Sequence, residues 1–383
     1  MTQNIASLSQ CANCGACLNS CPVNAITVDK DSLFYQPTVD LSACIRCGKC
    51  VAVCPLEAPL PVSSVKSAWW GRHRDPDIVK SSSSGGAFTA LAQQILSAGG
   101  IVFGACFDQD NMVILSSTDE VSLSQLKKSK YVESLAGGSF REAEKHLHSG
   151  RKVLFCATPC QIAGLKNDLG RDYENLYTCD FSCGGLPSHA LYRNHLNALE
   201  KKYRAPITSV DFRPKVYGWS TYAIRVEFAN GKQYVNSASL DPFYCGFIAK
   251  HVNCREYCYD CRFADSHVSD MTLADFWRYS QFLGGKLPQD GISLILANTD
   301  KGNMLLQQVR ESLNLQPLDI DAASYNLKKR HSDAAHMALR QTYLTCAQHE
   351  GLLQAKKLIA PRGFQALRTR AKHFLKGIKY KNQ

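Results

Sequence analysis

The sequence contains no long apolar run and no signal-peptide pattern. No stretch approaches the roughly 18 apolar residues that a membrane-spanning helix needs, and the first residues, MTQNIASLSQ, have neither a basic start nor an apolar segment. Disulfide-rich proteins occur mainly outside the cytoplasm. We therefore expect a cytoplasmic protein whose 18 cysteines serve another purpose than disulfide bonding.

The sequence also lacks the patterns of hydrolases and of nucleic-acid-binding proteins. No Ser-His-Asp set and no pair of catalytic carboxylates stands out, and no recognition helix is evident. The formal net charge is +11, but nine Lys or Arg and no acidic residue follow Glu350. Because the excess charge is concentrated at that end, we expect no nucleic-acid partner and disfavour a cluster-based nucleic-acid sensor.

Cysteine dominates the N-terminal region, in two copies of the motif C-x2-C-x2-C-x3-C-P. The copies are CANCGACLNSCP, which ends at Pro22, and CIRCGKCVAVCP, which ends at Pro55. In bacterial two-cluster ferredoxins, three cysteines of such a run hold one Fe4S4 cube and the fourth ligates the other cube. The motifs therefore predict two [4Fe-4S] clusters, one on Cys11, Cys14, Cys17 and Cys54 and the other on Cys44, Cys47, Cys50 and Cys21.

Zinc sites and disulfides are the alternatives for so many cysteines. Structural zinc sites use two C-x2-C pairs rather than triplets followed by Cys-Pro. A disulfide framework would require a secreted protein. Two complete copies of one motif favour the two-cluster interpretation.

The composition divides the 383 residues into four parts. Residues 1–60 are the predicted 2[4Fe-4S] ferredoxin-type domain, and residues 61–80, which are rich in Pro and Ser, are a predicted linker. In residues 81–330, apolar strands end in turns that precede helices, which is typical of α/β domains. Residues 331–383 are a predicted basic helical tail. The fold class is therefore multidomain, of the α+β and α/β type.

Six motifs of the third part resemble, in order, those of the coenzyme F420 hydrogenase/dehydrogenase beta-subunit family. They are SSGGAFTALAQQIL, SKYVESLAGGSFREA, VLFCATPCQIAGLK, DFSCGGLPS, CYDCRFA and SDMTLADFW. The resemblance covers about residues 75–330 and implies a flavoprotein with FAD and [4Fe-4S] centres. Two positions depart from the family's pattern, since Gly184 stands where histidine is usual and Ala274 where glycine is usual.

The resemblance also implies a third [4Fe-4S] cluster. The cysteines at the family's motif positions are Cys160, Cys183, Cys258 and Cys261. A local set is the first alternative, and it consists of Cys245, Cys254, Cys258 and Cys261. Buried cysteines without a metal are the second alternative. Four further cysteines are predicted to be core thiols, namely Cys106, Cys156, Cys179 and Cys346.

For FAD, the resemblance points to a turn before a predicted helix and to the SKYVES motif. Free N–H groups at a helix N-terminus favour phosphate, although such a turn is as often a flexible cap. The residues expected near phosphate or ribose are Ser84, Gly85, Gly86 and Thr89. Lys130 and Tyr131 would supply a charge and a stacking ring, and the alternative for Lys130 is a solvated lysine.

These features predict an oxidoreductase that passes electrons between [4Fe-4S] clusters and FAD, because flavins exchange electron pairs and clusters exchange single electrons. The resemblance implies a small molecule as substrate, either coenzyme F420 or an intermediate of surface-polysaccharide biosynthesis. The alternative is a non-catalytic electron-transfer subunit that docks on a separate oxidoreductase. In both cases ferredoxin or another redox protein is the expected electron donor or acceptor.

The C-terminal tail combines an apolar helical face with basic residues. The face consists of Phe364, Leu367, Ala371, Phe374, Leu375 and Ile378. Such a pattern is typical of a helix that lies on an anionic membrane surface, and equally of a helix that packs on the protein body. The tail therefore predicts peripheral contact with the inner face of the cell membrane, with packing on the body as the alternative.

Overall fold

The structure is a computed structural model with a mixed α/β fold. It describes residue 5 and residues 10–324, 332–360, 368–369, 371–373 and 375–376. Within that part of the chain, no helix is both long enough and apolar enough to cross a membrane. The mixed α/β prediction is confirmed.

The N-terminal part contains a small antiparallel sheet and two short helices. Its elements are β1 (Ile26–Asp29), β2 (Gln36–Val39), α1 (Ala16–Ser20) and α2 (Lys49–Ala52). Gly15 and Gly48 precede the two helices with φ of 85° and 75°. Glycine adopts this left-handed conformation without steric cost. The chain can therefore turn sharply from each three-cysteine loop into the helix that follows.

An eight-stranded mixed sheet forms the centre of the protein. The remaining strands are β3 (Ser67–His73), β4 (Ile101–Phe107), β5 (Val113–Thr118), β6 (Val153–Cys156), β7 (Leu176–Phe181), β8 (Ile207–Asp211), β9 (Ala223–Phe228), β10 (Gln233–Ser237), β11 (Met271–Asp275), β12 (Ser293–Ala297) and β13 (Leu313–Leu318). The order of the large sheet is β13-β3-β12-β11-β7-β6-β4-β5. Strands β4, β6, β7 and β11 are parallel neighbours. These strands are largely apolar because parallel strands are covered on both faces.

A separate three-stranded antiparallel sheet has the order β10-β9-β8. The remaining helices are α3 (Pro76–Ser81), α4 (Ala87–Ser97), α5 (Ser139–His148), α6 (Pro159–Leu169), α7 (His189–Tyr203), α8 (Tyr244–Ile248), α9 (Tyr279–Leu283), α10 (Asp300–Gln308), α11 (Ile320–Ser324), α12 (Ala334–His349) and α13 (Leu352–Ile359), with a 3-10 helix at Glu256–Asp260. Residues of α7, α12 and α13 share one apolar core with this three-stranded sheet. Helices α12 and α13 are therefore part of the protein body.

The segment 61–80, expected from its composition to be a linker, contains an internal strand of the large sheet. Strand β3 pairs antiparallel with β12 on one side and with β13 on the other, and α3 follows it directly. The strand contains Trp69 and Trp70, which pack against the apolar clusters on the sheet. The expectation of a connector is wrong for this stretch because both partner strands lie more than 200 residues further along the chain.

Most of the predicted amphipathic face of the tail lies outside the described residues. This applies to Phe364, Leu367, Phe374 and Ile378. Of the rest, Leu375 is exposed, and the neighbouring Lys376 donates a hydrogen bond to the Thr221 hydroxyl at 2.9 Å. The membrane contact of the tail therefore stays a prediction.

Candidate functional site

Four cysteines lie together where the first cysteine loop meets the end of α2. We call Cys11, Cys14, Cys17 and Cys54 the inner set. Burial raises the pKa of the Cys17 thiol, and the charges of Cys11 and Cys54 raise it further. Burial also raises the pKa of Cys14, again with help from Cys17 and Cys11. Thiolates this close and this buried repel each other, so the site suits a positively charged iron core that stabilises the anions.

The other four N-terminal cysteines line one apolar cavity. We call Cys21, Cys44, Cys47 and Cys50 the outer set, and its walls include Val23, Ala25, Ile26, Val39 and Ile45. An apolar cavity with four convergent thiols fits an iron–sulfur cube, whose ligands are thiolates. The outer set lies at the surface, because Cys47 is exposed and Ile45 beside it is 61% exposed.

The structure also brings together the four cysteines at the family's motif positions. We call Cys160, Cys183, Cys258 and Cys261 the distributed set. Burial raises the pKa of Cys160, and the charges of Cys261 and Cys183 raise it further. The pKa of Cys258 is raised by burial and by four cysteines, the other three members of the set and Cys254. The four thiols are therefore neighbours although up to 101 residues separate them along the chain.

Local structure explains how Cys160 reaches this place. Thr158 caps α6 in a capping box with Gln161, and Pro159 starts the helix, where proline is well tolerated. Cys160 follows in the first turn, with its sulfur 3.2 Å from the Thr158 hydroxyl oxygen. The strand–turn–helix unit of β6 and α6 thus places the Cys160 thiol in a buried position next to the other cysteines of the distributed set.

The four cysteines of the local alternative, Cys245, Cys254, Cys258 and Cys261, are not all neighbours in the structure. Cys254 lies beside Cys258, but Cys245 lies in the apolar core next to the three-stranded sheet β10-β9-β8. The charged neighbours of Cys245 are Asp241 and Lys356, and its thiol faces the Pro242 carbonyl oxygen at 3.6 Å. The geometry therefore favours the distributed set. Among the described residues, no group of three or more His, Cys, Asp or Glu is arranged to hold a single metal ion.

Of the predicted core thiols, Cys106 and Cys179 are fully buried, whereas Cys156 and Cys346 are half-buried. Cys156 and Cys179 are direct partners in the register of β6 and β7. Burial raises the pKa of Cys106, which keeps this thiol protonated and inert near neutral pH.

The first cysteine loop, which carries most of the inner set, contacts α6, which carries Cys160 of the distributed set. The Cys160 thiol lies 3.6 Å from the carbonyl oxygen of Ala12 in the first cysteine loop. Cys14 packs on Gly164 of α6, and a Cβ atom added at Gly164 would lie 3.1 Å from the Cys14 sulfur. The ferredoxin-type part therefore packs directly against α6, the helix that carries Cys160 in its first turn.

The serine–glycine turn is tightly built into the fold. The Gly85 N–H donates to the Ser293 hydroxyl at 3.0 Å, and the Ser84 hydroxyl donates to the Ile292 carbonyl at 2.8 Å. Gly86 caps α4 with φ of 89°, and Thr89 is buried in α4. The Gly85 N–H and the Ser84 hydroxyl are therefore occupied by hydrogen bonds within the protein. Fewer donors of this turn remain for a phosphate than the sequence indicates.

Lys130 and Tyr131 lie on the neighbouring loop, which the 2.7 Å hydrogen bond from the Ser129 N–H to the Ser83 hydroxyl joins to that turn. Lys130 is not a solvated lysine. Its ammonium donates to two backbone carbonyls, and burial lowers its pKa to about 8. The Tyr131 hydroxyl accepts a hydrogen bond from Arg213 at 3.2 Å.

Basic side chains, one buried and three half-buried, lie together here, and the sequence singled out only Lys130 among them. We call Lys128, Lys130, Arg213 and Lys215 the basic pocket. Arg213 pairs with Asp275 at 2.9 Å, yet its second terminal nitrogen, Nη2, is buried without a hydrogen-bond partner among the described residues. Burial lowers the pKa of Lys215 to about 8. The only sequence signal was the basic run in DFRPK, directly after β8.

Aromatic rings connect the basic pocket to the distributed set. The Tyr131 and Phe247 ring centroids are 5.4 Å apart, and Phe247 packs on Gly184, next to Cys183. A Cβ atom at Gly184 would lie 3.2 Å from the Phe247 ring. The position where the family usually has histidine is therefore occupied, in space, by an aromatic ring.

Two family models match parts of this chain. Residues 150–322 match the family model that describes the C terminus of the beta subunit of coenzyme F420 hydrogenase/dehydrogenase, and residues 10–58 match the 4Fe-4S dicluster domain. The predicted ferredoxin-type [4Fe-4S] domain and the predicted resemblance are confirmed. A search of curated protein sequences found no match.

Among solved structures, one similar chain comes from the F420-reducing [NiFe] hydrogenase complex of Methanosarcina barkeri, in a structure of its xenon derivative. The two chains are 16% identical, and the similarity covers 75% of this chain and 94% of that one, with a TM-score of 0.47.

Proposed function

Because residues 150–322 match the coenzyme F420 hydrogenase/dehydrogenase beta-subunit family and residues 10–58 match the 4Fe-4S dicluster domain, we propose that the chain is an iron–sulfur flavoprotein oxidoreductase of that family. The matches support electron transfer through [4Fe-4S] clusters as the general role of the chain. The proposal adds FAD as a second redox group and a small molecule as substrate.

The observation that carries the proposal is the continuous row of three cysteine sets. Cys50 of the outer set lies near Cys17 of the inner set, and Cys14 of the inner set lies near Cys160 of the distributed set. Thiolates in these places would hold three cubes in sequence from the surface to the interior. The ligands would be the outer set, the inner set and the distributed set, each holding one cluster.

The basic pocket fits an anionic cofactor with aromatic rings. Lys215, Lys130 and the free Nη2 of Arg213 supply buried positive charge and a hydrogen-bond donor, which suit a pyrophosphate. Tyr131 and Tyr222 supply aromatic faces beside it. When bound, FAD exchanges hydride with a substrate and single electrons with clusters. We therefore assign FAD to this pocket together with the turn at Ser84, Gly85, Gly86 and Thr89.

The residues of the chain have separate tasks in this mechanism. The cysteine thiolates would hold the clusters, and the apolar cluster that contains Cys17, Cys21, Cys50 and Cys54 would shield the inner and outer clusters from water on that side. Asp275 holds the Arg213 guanidinium at 2.9 Å, so that its free nitrogen keeps a fixed direction. The rings of Tyr131 and Phe247 fill the space between the pocket and Cys183, which keeps this path dry. The substrate candidates are coenzyme F420 and an intermediate of surface-polysaccharide biosynthesis.

A second function is supported by the exposed edge of the outer set. Leu41 is 68% exposed and Ile45 is 61% exposed, and Arg46 and Lys49 are exposed beside Cys47. Exposed apolar residues rimmed by charges are typical of protein-docking surfaces. Ferredoxin or another redox protein would dock there, and the chain would then serve as a non-catalytic electron-transfer subunit of a separate oxidoreductase.

A turnover assay separates the two functions. The purified chain, loaded with iron, sulfide and FAD without oxygen, is mixed with reduced viologen dye and coenzyme F420. If the chain is an enzyme, it should reduce F420 alone, at a rate proportional to protein concentration. If the chain is an electron-transfer subunit, F420 should be reduced only after a partner oxidoreductase is added.

We also propose that the protein is cytoplasmic and contacts the membrane peripherally through its basic C-terminal end. Seven Lys or Arg follow Ala360, and each contributes attraction to anionic lipids that salt screens. The full chain is expected to sediment with anionic vesicles at low salt and to dissociate at high salt. Equal sedimentation of a chain that ends at Ala360 would contradict this.

A further inference from the structure

A buried carboxylate connects the ferredoxin-type part to the protein body. Glu133 is 0% exposed and accepts a hydrogen bond from the Tyr35 backbone N–H at 3.1 Å. From the protein body, it binds His189 at 2.7 Å and Arg255 at 2.9 Å. A carboxylate in such a place is stable only when it is paired and hydrogen-bonded. Glu133 therefore fixes the position of the Arg255 guanidinium.

The Arg255 guanidinium contacts the loop that carries the inner set, and the Arg255 backbone begins the turn that carries Cys258 of the distributed set. Its Nη1 donates to the carbonyl oxygen of Cys11 at 3.3 Å, and its Nη2 donates to the carbonyl of Tyr35. Its own carbonyl accepts the backbone N–H of Cys258 at 3.1 Å. Arginine stays protonated in proteins, and Glu133 pairs with this guanidinium at 2.9 Å, so Arg255 is a permanent cation.

One donor of this guanidinium is unused. The Arg255 Nε is buried and has no hydrogen-bond partner among the described residues. Leaving a buried donor unpaired costs about 1–3 kcal/mol, so such groups require an explanation. Sulfur atoms of an iron–sulfur cluster accept hydrogen bonds from the protein, and Arg255 is placed beside the cysteines of two proposed clusters.

We propose that Arg255 is a tuning residue shared by the inner and the distributed clusters, and that its free Nε–H donates to a cluster sulfur. This inference rests on the proposed function, since it takes both sets as cluster ligands. Hydrogen bonds to the sulfurs and net charge are main determinants of cluster potential. A fixed cation stabilises the more negative, reduced state of each cluster in a low-dielectric interior. Arg255 therefore raises the reduction potentials of both clusters, and the outer cluster lies beyond its contacts.

The competing explanation is that Arg255 only anchors the ferredoxin-type part to the body. Arg141 makes such an anchor, because it donates to three backbone carbonyls around the end of α1, those of Leu18, Asn19 and Cys21. An anchor affects assembly and stability, whereas a tuning residue affects reduction potentials in the assembled protein. A redox titration distinguishes the two.

The test is an anaerobic redox titration of the loaded full chain, followed by electron paramagnetic resonance. The variants are Arg255→Lys and the double variant Arg255→Met/Glu133→Gln, which removes the Arg255–Glu133 ion pair as a unit and keeps an amide oxygen as acceptor for His189. We expect two of the three cluster signals of the double variant to shift to more negative potentials while the third stays unchanged. Arg255→Lys keeps the charge but loses the Nε–H, so it should shift the same two signals less.

Arg340→Lys is the matched control. Arg340 is also buried, stacks near the same Phe34 ring as Arg255, and donates to the carbonyl of Cys254 through two nitrogens. Its described contacts involve no member of the inner or the distributed set, and Arg340→Lys keeps the charge, so the substitution should leave all potentials unchanged. Unchanged potentials in the double variant, or equal shifts in the control, would overturn the inference.

Loss of iron separates the inference from the proposed function. If the double variant loses iron while Arg255→Lys titrates like the unmodified chain, Arg255 is an anchor and the inference fails. If the unmodified chain holds only about eight irons, the distributed cluster of the proposed function fails. The potential of the inner cluster would then still decide the role of Arg255.

Discussion

Cys14 of the first cysteine loop packs against Gly164 in the middle of α6, with its sulfur 3.1 Å from the place where a Cβ atom would stand. This contact fixes how closely the inner set approaches the helix that carries Cys160. Glycine within a helix costs roughly 1 kcal/mol relative to alanine. The close approach explains why the helix contains a glycine there.

Gly164→Leu is expected to push the first cysteine loop away from α6. The larger side chain overpacks the contact, which should lower the free energy of unfolding by about 1–3 kcal/mol and reduce the iron content. Gly164→Ala should destabilise less than Gly164→Leu, because its single Cβ requires only a small shift of Cys14 and alanine's better helix propensity offsets part of that cost. Denaturant unfolding and iron analysis measure both effects.

Gly138→Leu is the control for this substitution. A Cβ atom at Gly138 would meet nothing within 4 Å, and its φ of −93° suits any residue. Full iron content in Gly164→Leu, equal to that of Gly138→Leu, would show that the contact does not position the inner set.

The distributed set makes a prediction that separates it from the local alternative. Cys160 belongs only to the distributed set and Cys245 only to the local one. Cys160→Ser should lose about four of the irons, whereas Cys245→Ser should keep them all. Iron and acid-labile sulfide per chain give the answer. The reverse result would transfer the third cluster to the local set.

The free Nη2 of Arg213 should contribute to flavin binding. Arg213→Lys keeps the charge opposite Asp275 but removes the second terminal nitrogen. Loss of one charge-assisted hydrogen bond costs about 1.5–3 kcal/mol, so the affinity for FAD should fall by roughly 10- to 100-fold. Quenching of FAD fluorescence by the flavin-free chain measures this.

Arg225→Lys is the matched control, because Arg225 pairs with Asp211 at 3.3 Å at the edge of the same region and is partly exposed. It should bind FAD as the unmodified chain does. Equal affinity of the Arg213 and Arg225 variants would remove FAD from the basic pocket.

The affinity for FAD should also depend on pH. Burial lowers the pKa of both Lys130 and Lys215 to about 8, so both are cations below that pH and lose their charge as the pH rises through it. The charged neighbours of Lys215 are Asp290, Arg213, Lys128 and Asp275. An anionic pyrophosphate should therefore bind more weakly at pH 9 than at pH 7.

A titration of FAD binding between these pH values checks the prediction. Lys215→Met should bind more weakly at pH 7 and show a smaller change with pH, because one of the two titrating groups is removed. An affinity that is constant across the range would contradict binding through these lysines.

The sequence predicted the features that depend on local spacing. The two cysteine runs are contiguous motifs, so the dicluster domain followed from residue spacing alone. The mixed α/β class followed from apolar runs and turn residues. The distributed set could not be found in this way, since its members are as far apart as Cys160 and Cys261, and only the resemblance to a family brought them together.

Long-range pairing accounts for what the sequence analysis missed. Strand β3 has no turn signals that mark it as internal, and its neighbours β12 and β13 come from the far end of the chain. Arg213 and Lys215 are ordinary surface-type residues in the sequence. They form the proposed FAD site only because burial beside Asp275 and Tyr131 removes water from them.

The most direct test of the account is the count of cofactors in the protein purified without oxygen. Iron, acid-labile sulfide and flavin are measured per chain in the same sample, after reconstitution with iron, sulfide and FAD. The account predicts about twelve irons, about twelve sulfides and one FAD, that is, three Fe4S4 cubes and one flavin. About eight irons and no flavin would contradict it and leave a two-cluster electron carrier.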